Sequence, residues 1–148
     1  MDPHYVAGFI DGEGAFCVSI GKHKTLKRGL EVRPEFTIEV RADDRDVLER
    51  ICVTIGCGAI YDAAYDRYGW YPHVKYKISN KYDLCTYLFP FLDACPLQAK
   101  KKDVYKMFKE IVLLARDKKH LTDAGFNRIV ELREKMRALG KKARTHKL

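Results

Sequence analysis

Hydrophobic and polar positions alternate cleanly in the first third of the chain. Between Ala15 and Gly21, Phe16, Val18 and Ile20 share one side while Cys17, Ser19 and Gly21 share the other, the period of a half-buried strand. From Arg33 to Arg41 the alternation is stronger, with Pro34, Phe36, Ile38 and Val40 opposing Arg33, Glu35, Thr37, Glu39 and Arg41. The period then lengthens. Val47, Leu48, Ile51, Cys52 and Ile55 fall at helical spacing, with Asp43 or Asp44 available as the cap and Gly56 as the stop. Two more strands follow, over about 58–66 and 70–79, joined by a turn at Arg67-Tyr68-Gly69; in the second, Val74, Tyr76 and Ile78 alternate against His73, Lys75, Lys77 and Ser79. Asn80 caps a helix carrying Leu84, Tyr87 and Leu88, which Pro90 and Pro96 are expected to break up.

Two longer helices are predicted at about 99–118 and 122–139. They bury Val104, Phe108, Ile111 and Val112, then Phe126, Ile129, Val130, Leu132 and Met136, with Thr122 as the second N-cap and Gly140 as its end. Before all of these, Val6, Ala7, Phe9 and Ile10 suit a short buried helix. The order is helix, strand, strand, helix, strand, strand, helix, followed by C-terminal helices. This is an α+β arrangement with four antiparallel strands, read as one domain over 1–140 with a loose basic tail at 141–148.

Composition bounds the class. The 148 residues are 47% hydrophobic and 11% aromatic, enough for a core and too apolar for a disordered chain. No apolar run approaches the roughly 18 residues of a membrane span, and acids interrupt the first fifteen positions where a signal peptide would be apolar. The expectation is a soluble intracellular protein of the cytoplasm, nucleoid or an organelle, with no membrane partner, no small-molecule substrate and no targeting signal. Five cysteines, Cys17, Cys52, Cys57, Cys85 and Cys95, have irregular spacing and no Cys-x-x-Cys pair, so they read as buried thiols.

Charge adds a partner. Residues 1–96 hold 12 Lys/Arg against 14 Asp/Glu, net −2, whereas 97–148 hold 16 against 6, net +10. The second segment can be a solvated helical face or can neutralise the phosphates of a nucleic acid. The strands carry the complementary signal, for each sets one apolar face against a face of long polar groups. An antiparallel sheet commonly keeps one wet face; the alternative is a surface that reads bases. Arg and Lys donate to guanine edges, Glu accepts from cytosine, and Thr meets a base edge or a thymine methyl. The reading residues are then Ser19, Arg33, Glu35, Thr37, Glu39, Arg41, Tyr61, Tyr65, His73, Lys75, Lys77 and Ser79, with His23 and Lys24 in the first loop and Arg67 in the turn. A nine-residue strand at about 3.3 Å per residue covers about nine base pairs.

The stretch Val6-Ala7-Gly8-Phe9-Ile10-Asp11-Gly12-Glu13-Gly14 is harder to place by pattern alone. Gly8 and Gly12 are four apart on one helix face and permit close approach of another backbone. Glu13 lies at the negative end of the helix dipole, a position that suits a surface glutamate in a turn or a carboxylate facing a cation. "VAGFIDGEG" closely resembles the motif of LAGLIDADG homing endonucleases, and "IGCG" at 55–58, "CPLQAKKKD" at 95–103 and "HLTDAGFNRI" at 120–129 are also similar to that family, as is the order of elements.

The resemblance implies a site-specific DNA endonuclease that makes a metal-dependent staggered double-strand cut in a long pseudo-palindromic target. It implies a homodimer, because the family uses two motif helices and this sequence has one; Ala7, Gly8, Asp11 and Gly12 would form the contact, with Asp11 capping or bridging the partner helix. Glu13 would bind the divalent metal with the Gly12 carbonyl, Mg²⁺ being the expected ion and Mn²⁺ a substitute. Lys101, with Lys100 beside it, would be the catalytic basic residue. Where many relatives carry a polar side chain after the second strand, this sequence has Ala42, flanked by Arg41 and Asp43. The alternative function is a non-cleaving LAGLIDADG-type intron RNA maturase or DNA-binding protein.

Overall fold

The computed structural model describes residues 1–22, 30–63 and 71–145. Its elements are α1 (Pro3–Glu13), β1 (Gly14–Lys22), β2 (Leu30–Arg41), α2 (Arg45–Ile55), β3 (Ala59–Ala63), β4 (His73–Ile78), α3 (Lys81–Asp83), α4 (Phe89–Ala94), α5 (Lys101–Arg116) and α6 (Asp123–Thr145). The four strands form one antiparallel sheet in the order β1-β2-β4-β3, so the long β2 lies inside and β1 and β3 form the edges. Pro34 is tolerated within β2 because pairing with β4 begins only at Phe36.

Alternation along the strands delivers the layering. Phe16, Val18, Val32, Phe36, Ile38, Val74, Tyr76 and Ile78 are all buried against the helices. Phe16 is the hub, its ring centre 5.2 Å from Phe36, 5.1 Å from Phe108 and 5.6 Å from Tyr105, which joins β1 and β2 to α5. Leu48 and Ile51 of α2, Phe108 and Ile111 of α5, and Ile129 of α6 are fully covered in the same cluster. Each such side chain contributes about 1.5–3 kcal/mol relative to exposure. Val6 and Ile10 bury one side of α1.

Several expected boundaries shift, each for a local reason. Neither aspartate side chain caps α2; the chain enters it through a short 3-10 turn, Ala42–Asp44. Strand β3 begins at Ala59 and β4 covers His73–Ile78, while 64–70, with the expected turn at 67–69, lie outside the described residues. Pro90 does not break its helix. Helical backbone passes from α3 through a π-helical stretch, Leu84–Leu88, where the Phe89 N–H donates to the Leu84 carbonyl, and the widened turn seats Pro90 at the start of α4. Gly140 does not end α6 either; a mid-helix glycine costs only about 1 kcal/mol, and the Lys-Lys-Ala-Arg that follows favours helix. Residues 141–145 are therefore helix and not a loose tail, and 146–148 lie outside the described residues. Asn80 caps as expected, accepting the N–H groups of Tyr82 at 2.7 Å and Asp83 at 3.2 Å, and Thr122 accepts that of Gly125 at 3.0 Å. Gly56 ends α2 at φ 101°, its N–H donating to the Cys52 carbonyl.

Candidate active site and nucleic-acid interface

The motif helix begins with Asp2, whose carboxylate accepts the His4 N–H at 2.8 Å, and Pro3 at its first position. Its end meets the start of α5. Asp11 accepts the Gln98 N–H at 2.6 Å and the Ala99 N–H at 3.1 Å, so it ties α1 to the turn that opens α5. Within its own chain, then, the Asp11 carboxylate already fixes the end of α1. Lys101, in the first turn of α5, donates from Nζ to the Ile10 carbonyl at 3.2 Å. A cation is thus placed on the negative end of the α1 dipole. Burial pushes the Lys101 ammonium below the ordinary lysine range, while the charges of Asp11 and Glu13 act against that shift.

Glu13 is the last residue of α1, and its side chain is exposed. The next residue must be small: a Cβ on Gly14 would lie 2.8 Å from the Ile10 carbonyl oxygen. Gly8 and Gly12 have nothing among the described residues within 4 Å of such an atom, so no described neighbour requires them to be glycine. They face outward beside Tyr5, which is 54% exposed, and Phe9, whose ring centre is 6.2 Å from that of Tyr5. Ala7 points the other way. It is buried in its own chain, which removes it from the outward contact expected for it. The structure therefore brings Asp11, Gly12, Glu13 and Lys101 together, with exposed Lys100 and Lys102 alongside.

The polar sheet face continues from this corner. On β2, Arg33 and Glu35 lie opposite Ser19 and Cys17 of β1, Thr37, Glu39 and Arg41 lie opposite Lys77, Lys75 and His73 of β4, and Tyr61 of β3 lies opposite Lys75. Acids of β2 meet polar and cationic groups of β4: Glu39 is 3.4 Å from His73 Nδ1 and 3.8 Å from the Lys75 ammonium, and Glu35 is 3.7 Å from that of Lys77. Arg33 pairs with Glu31 at 2.9 Å, and the Lys77 ammonium is 5.4 Å from the Tyr61 ring centre. Ser79 is exposed just past β4. His23, Lys24, Tyr65 and Arg67 lie outside the described residues.

Two participants carry no signal in the strand alternation, Glu31 and Tyr71, while Asp43, a cap candidate for α2, takes part as a side-chain partner. Arg41 pairs with Asp43 at 3.1 Å and its Cζ stands 4.2 Å over the Tyr71 ring. Tyr71 precedes a proline beside a strand, a place where extended backbone is favoured, and that was the available signal. Ala42 packs against the core, so its side chain is not aimed at the polar face. All five cysteines are free thiols, but Cys17 is exposed on the polar face and only Cys95 is buried, which corrects the uniform expectation for them.

The basic segment divides in two. Arg128 pairs with Glu110 at 2.8 Å, Lys135 with Glu131 at 3.1 Å, Lys109 with Asp93 at 2.6 Å and Arg116 with Asp117 at 3.1 Å, all on helices packed behind the apolar side of the sheet. Lys101 instead lies within reach of the Glu13 charge, with exposed Lys100 and Lys102 on either side of it in sequence. Among the described residues no three His, Cys, Asp or Glu side chains gather as metal ligands, and no helix is long and apolar enough to cross a membrane.

A helix ending in an exposed acid, a lysine fixed behind it and a mixed-charge sheet define a member of the LAGLIDADG endonuclease family: residues 6–112 match the family model described as LAGLIDADG endonuclease, and the chain belongs to that family. It is 30% identical over 135 residues to probable intron-encoded endonuclease 2 of Neurospora crassa, covering 90% of this chain and 27% of that protein. Homing endonuclease I-ApeII of Aeropyrum pernix is 36% identical over 109 residues, covering 74% of this chain and 61% of that one. Among solved structures, I-SmaMI bound to an uncleaved DNA target in the presence of calcium ions matches with a TM-score of 0.82 and 31% identity, over 90% of this chain and 44% of that chain. I-SmaMI bound to cleaved DNA matches with a TM-score of 0.82 and 29% identity, over 89% and 42%. The chain spans about a quarter of the length of the Neurospora relative and under half of I-SmaMI.

Proposed function

We propose that this protein is a site-specific DNA endonuclease that makes a staggered double-strand cut in a long pseudo-palindromic duplex. The observation that carries this reading is the position of Glu13. It is an exposed carboxylate beside Lys101, at the corner where the polar sheet face begins. That the related I-SmaMI has been seen with both uncleaved and cleaved DNA supports the same chemistry here.

The site needs a second copy of this chain. One copy offers one carboxylate, and two cuts require two sites; a twofold arrangement packs α1 against its counterpart. Gly8 and Gly12 leave room for that approach, and Tyr5 and Phe9 provide apolar contact beside them. Asp11 supports the arrangement from within its own chain by fixing the end of α1.

The donor set suits a hard divalent cation, since the Glu13 carboxylate and Gly12 carbonyl supply oxygen only. Mg²⁺ is the proposed ion, with Mn²⁺ able to substitute. When bound, such an ion acidifies water and stabilises charge on the oxygens of an in-line phosphoryl displacement. Lys101 contributes a fixed positive charge for the attacked phosphate. Arg33, Glu35, Thr37, Glu39, Arg41, His73, Lys75 and Lys77 contact base edges, and Lys100 and Lys102 contact the backbone. The reading places the protein inside the cell, in the cytoplasm, the nucleoid or an organelle.

Duplexes selected by the protein from a random library provide the test. With Mg²⁺ the wild type cuts both strands of the selected duplex, and Glu13→Gln binds it without cutting. A wild-type protein that binds but never cuts with Mg²⁺ or Mn²⁺ would overturn the reading in favour of a DNA-binding protein.

A further inference from the structure

Arg41 is held on two sides before any ligand arrives. Its Nη2 donates to Asp43 Oδ2 at 3.1 Å, and its guanidinium carbon stands 4.2 Å from the centre of the Tyr71 ring. The two segments are joined at the same level, because the Ala42 N–H donates to the Pro72 carbonyl at 2.9 Å. The ring restrains the guanidinium from one side and the carboxylate restrains it at Nη2. Nε, Nη1 and the second Nη2 hydrogen remain as donors, and the Arg41 side chain is 51% exposed.

Register says where this fork works. The start of β1, Gly14, pairs with Ile38, so the last residues of β2 run past β1 toward the end of α1 and Glu13. Alternation puts Arg41 on the same face as Thr37 and Glu39. We propose that Tyr71 and Asp43 are positioning residues that hold Arg41 as a preset fork for the O6 and N7 edge of a guanine in the inner part of each half-site. A bare phosphate contact needs charge and little direction, whereas Asp43 removes part of the charge and Tyr71 adds direction. The inference rests on the DNA-reading function proposed above.

Selection from a random duplex library, run in parallel with wild type, Arg41→Lys, Tyr71→Leu and Tyr71→Phe, tests it. The expected wild-type pool fixes a guanine at one inner position per half-site. Arg41→Lys and Tyr71→Leu lower that preference by about ten-fold or more while other positions keep theirs, and Tyr71→Phe retains it because the ring remains. Both Tyr71 variants change an exposed side chain, and circular dichroism checks that each is folded. A Tyr71→Leu pool identical to wild type overturns the inference and leaves DNA reading intact. So does uniform weakening across all sequences with a shallower salt dependence, which would assign Arg41 to a phosphate. A wild-type pool without any base preference overturns the DNA-reading function itself.

Discussion

Asp11 and Gln98 are 87 positions apart, yet the carboxylate of the first accepts the backbone N–H of the second at 2.6 Å. With the second bond, to the Ala99 N–H, this link fixes where α5 starts relative to where α1 ends. Lys101 and Glu13 sit on the two sides of that joint. Replacing Asp11 with alanine leaves two N–H groups without an acceptor and is expected to cost about 1 kcal/mol of stability. Cleavage should fall further than DNA binding, because the lysine loses its register against α1. Thermal unfolding, duplex affinity and single-turnover cleavage of the variant separate the two effects.

The protonation of Lys101 follows from its neighbours. Burial disfavours its charged form, while Asp11 and Glu13 favour it. Removing either negative charge, in Asp11→Asn or Glu13→Gln, should therefore move its titration further below the ordinary lysine range. The sign for stability follows by linkage: the unfolded state holds this proton to higher pH than the folded state, so the penalty present at lower pH is relieved as pH rises through the folded value. Following the Lys101 side-chain carbon and nitrogen shifts by NMR against pH gives both directions.

The glycines of the motif should respond oppositely to alanine. At Gly14 the new methyl would meet the Ile10 backbone at 2.8 Å, so Gly14→Ala is expected to lose about 1–3 kcal/mol in any oligomeric state. At Gly8 the methyl enters open space, and alanine gains up to about 1 kcal/mol of helix propensity within the monomer. Self-association should nevertheless weaken, as sedimentation equilibrium of Gly8→Ala against wild type would reveal. Unchanged association would mean that α1 is not the contact.

Phosphate contacts are expected from Lys100 and Lys102 and not from the paired basic groups of α6. Lys100→Ala or Lys102→Ala should lower the slope of log affinity against log salt by about 1 each. Lys135→Ala and Arg137→Ala, whose partners are Glu131 and Glu134, should leave the slope unchanged.

Much of this arrangement was legible beforehand because it is written in periods and caps. The alternation of Phe36, Ile38 and Val40 against Thr37, Glu39 and Arg41 specified both which strand faces are covered and which are polar. Asn80 and Thr122 announced their helices by chemistry that acts within three residues. What the pattern does not encode has a different origin. The helix continues through Pro90 because a compensating π-helical stretch forms where Leu84 and Leu88 bury, and past Gly140 because the helix-favouring residues after it outweigh its low propensity. The bonds from Asp11 to residues 98 and 99 escape the sequence because no local pattern encodes a contact across 87 positions. Ala7 sits one position from Gly8 in sequence but on the opposite side of α1, and only packing tells which side is covered.

The ion pairs across the sheet, Glu39 with Lys75 and Glu35 with Lys77, bear on how the protein would search a long duplex. A face whose acids already occupy its cations exerts a weak pull on arbitrary sequence, so the dwell time at a wrong site is short. At a matching site the base edges replace the carboxylates as partners, and the complex then lasts because it dissociates slowly. Lys100 and Lys102, outside these pairs, would govern the first encounter. Speed of arrival and length of stay are thereby assigned to different strips of the same molecule.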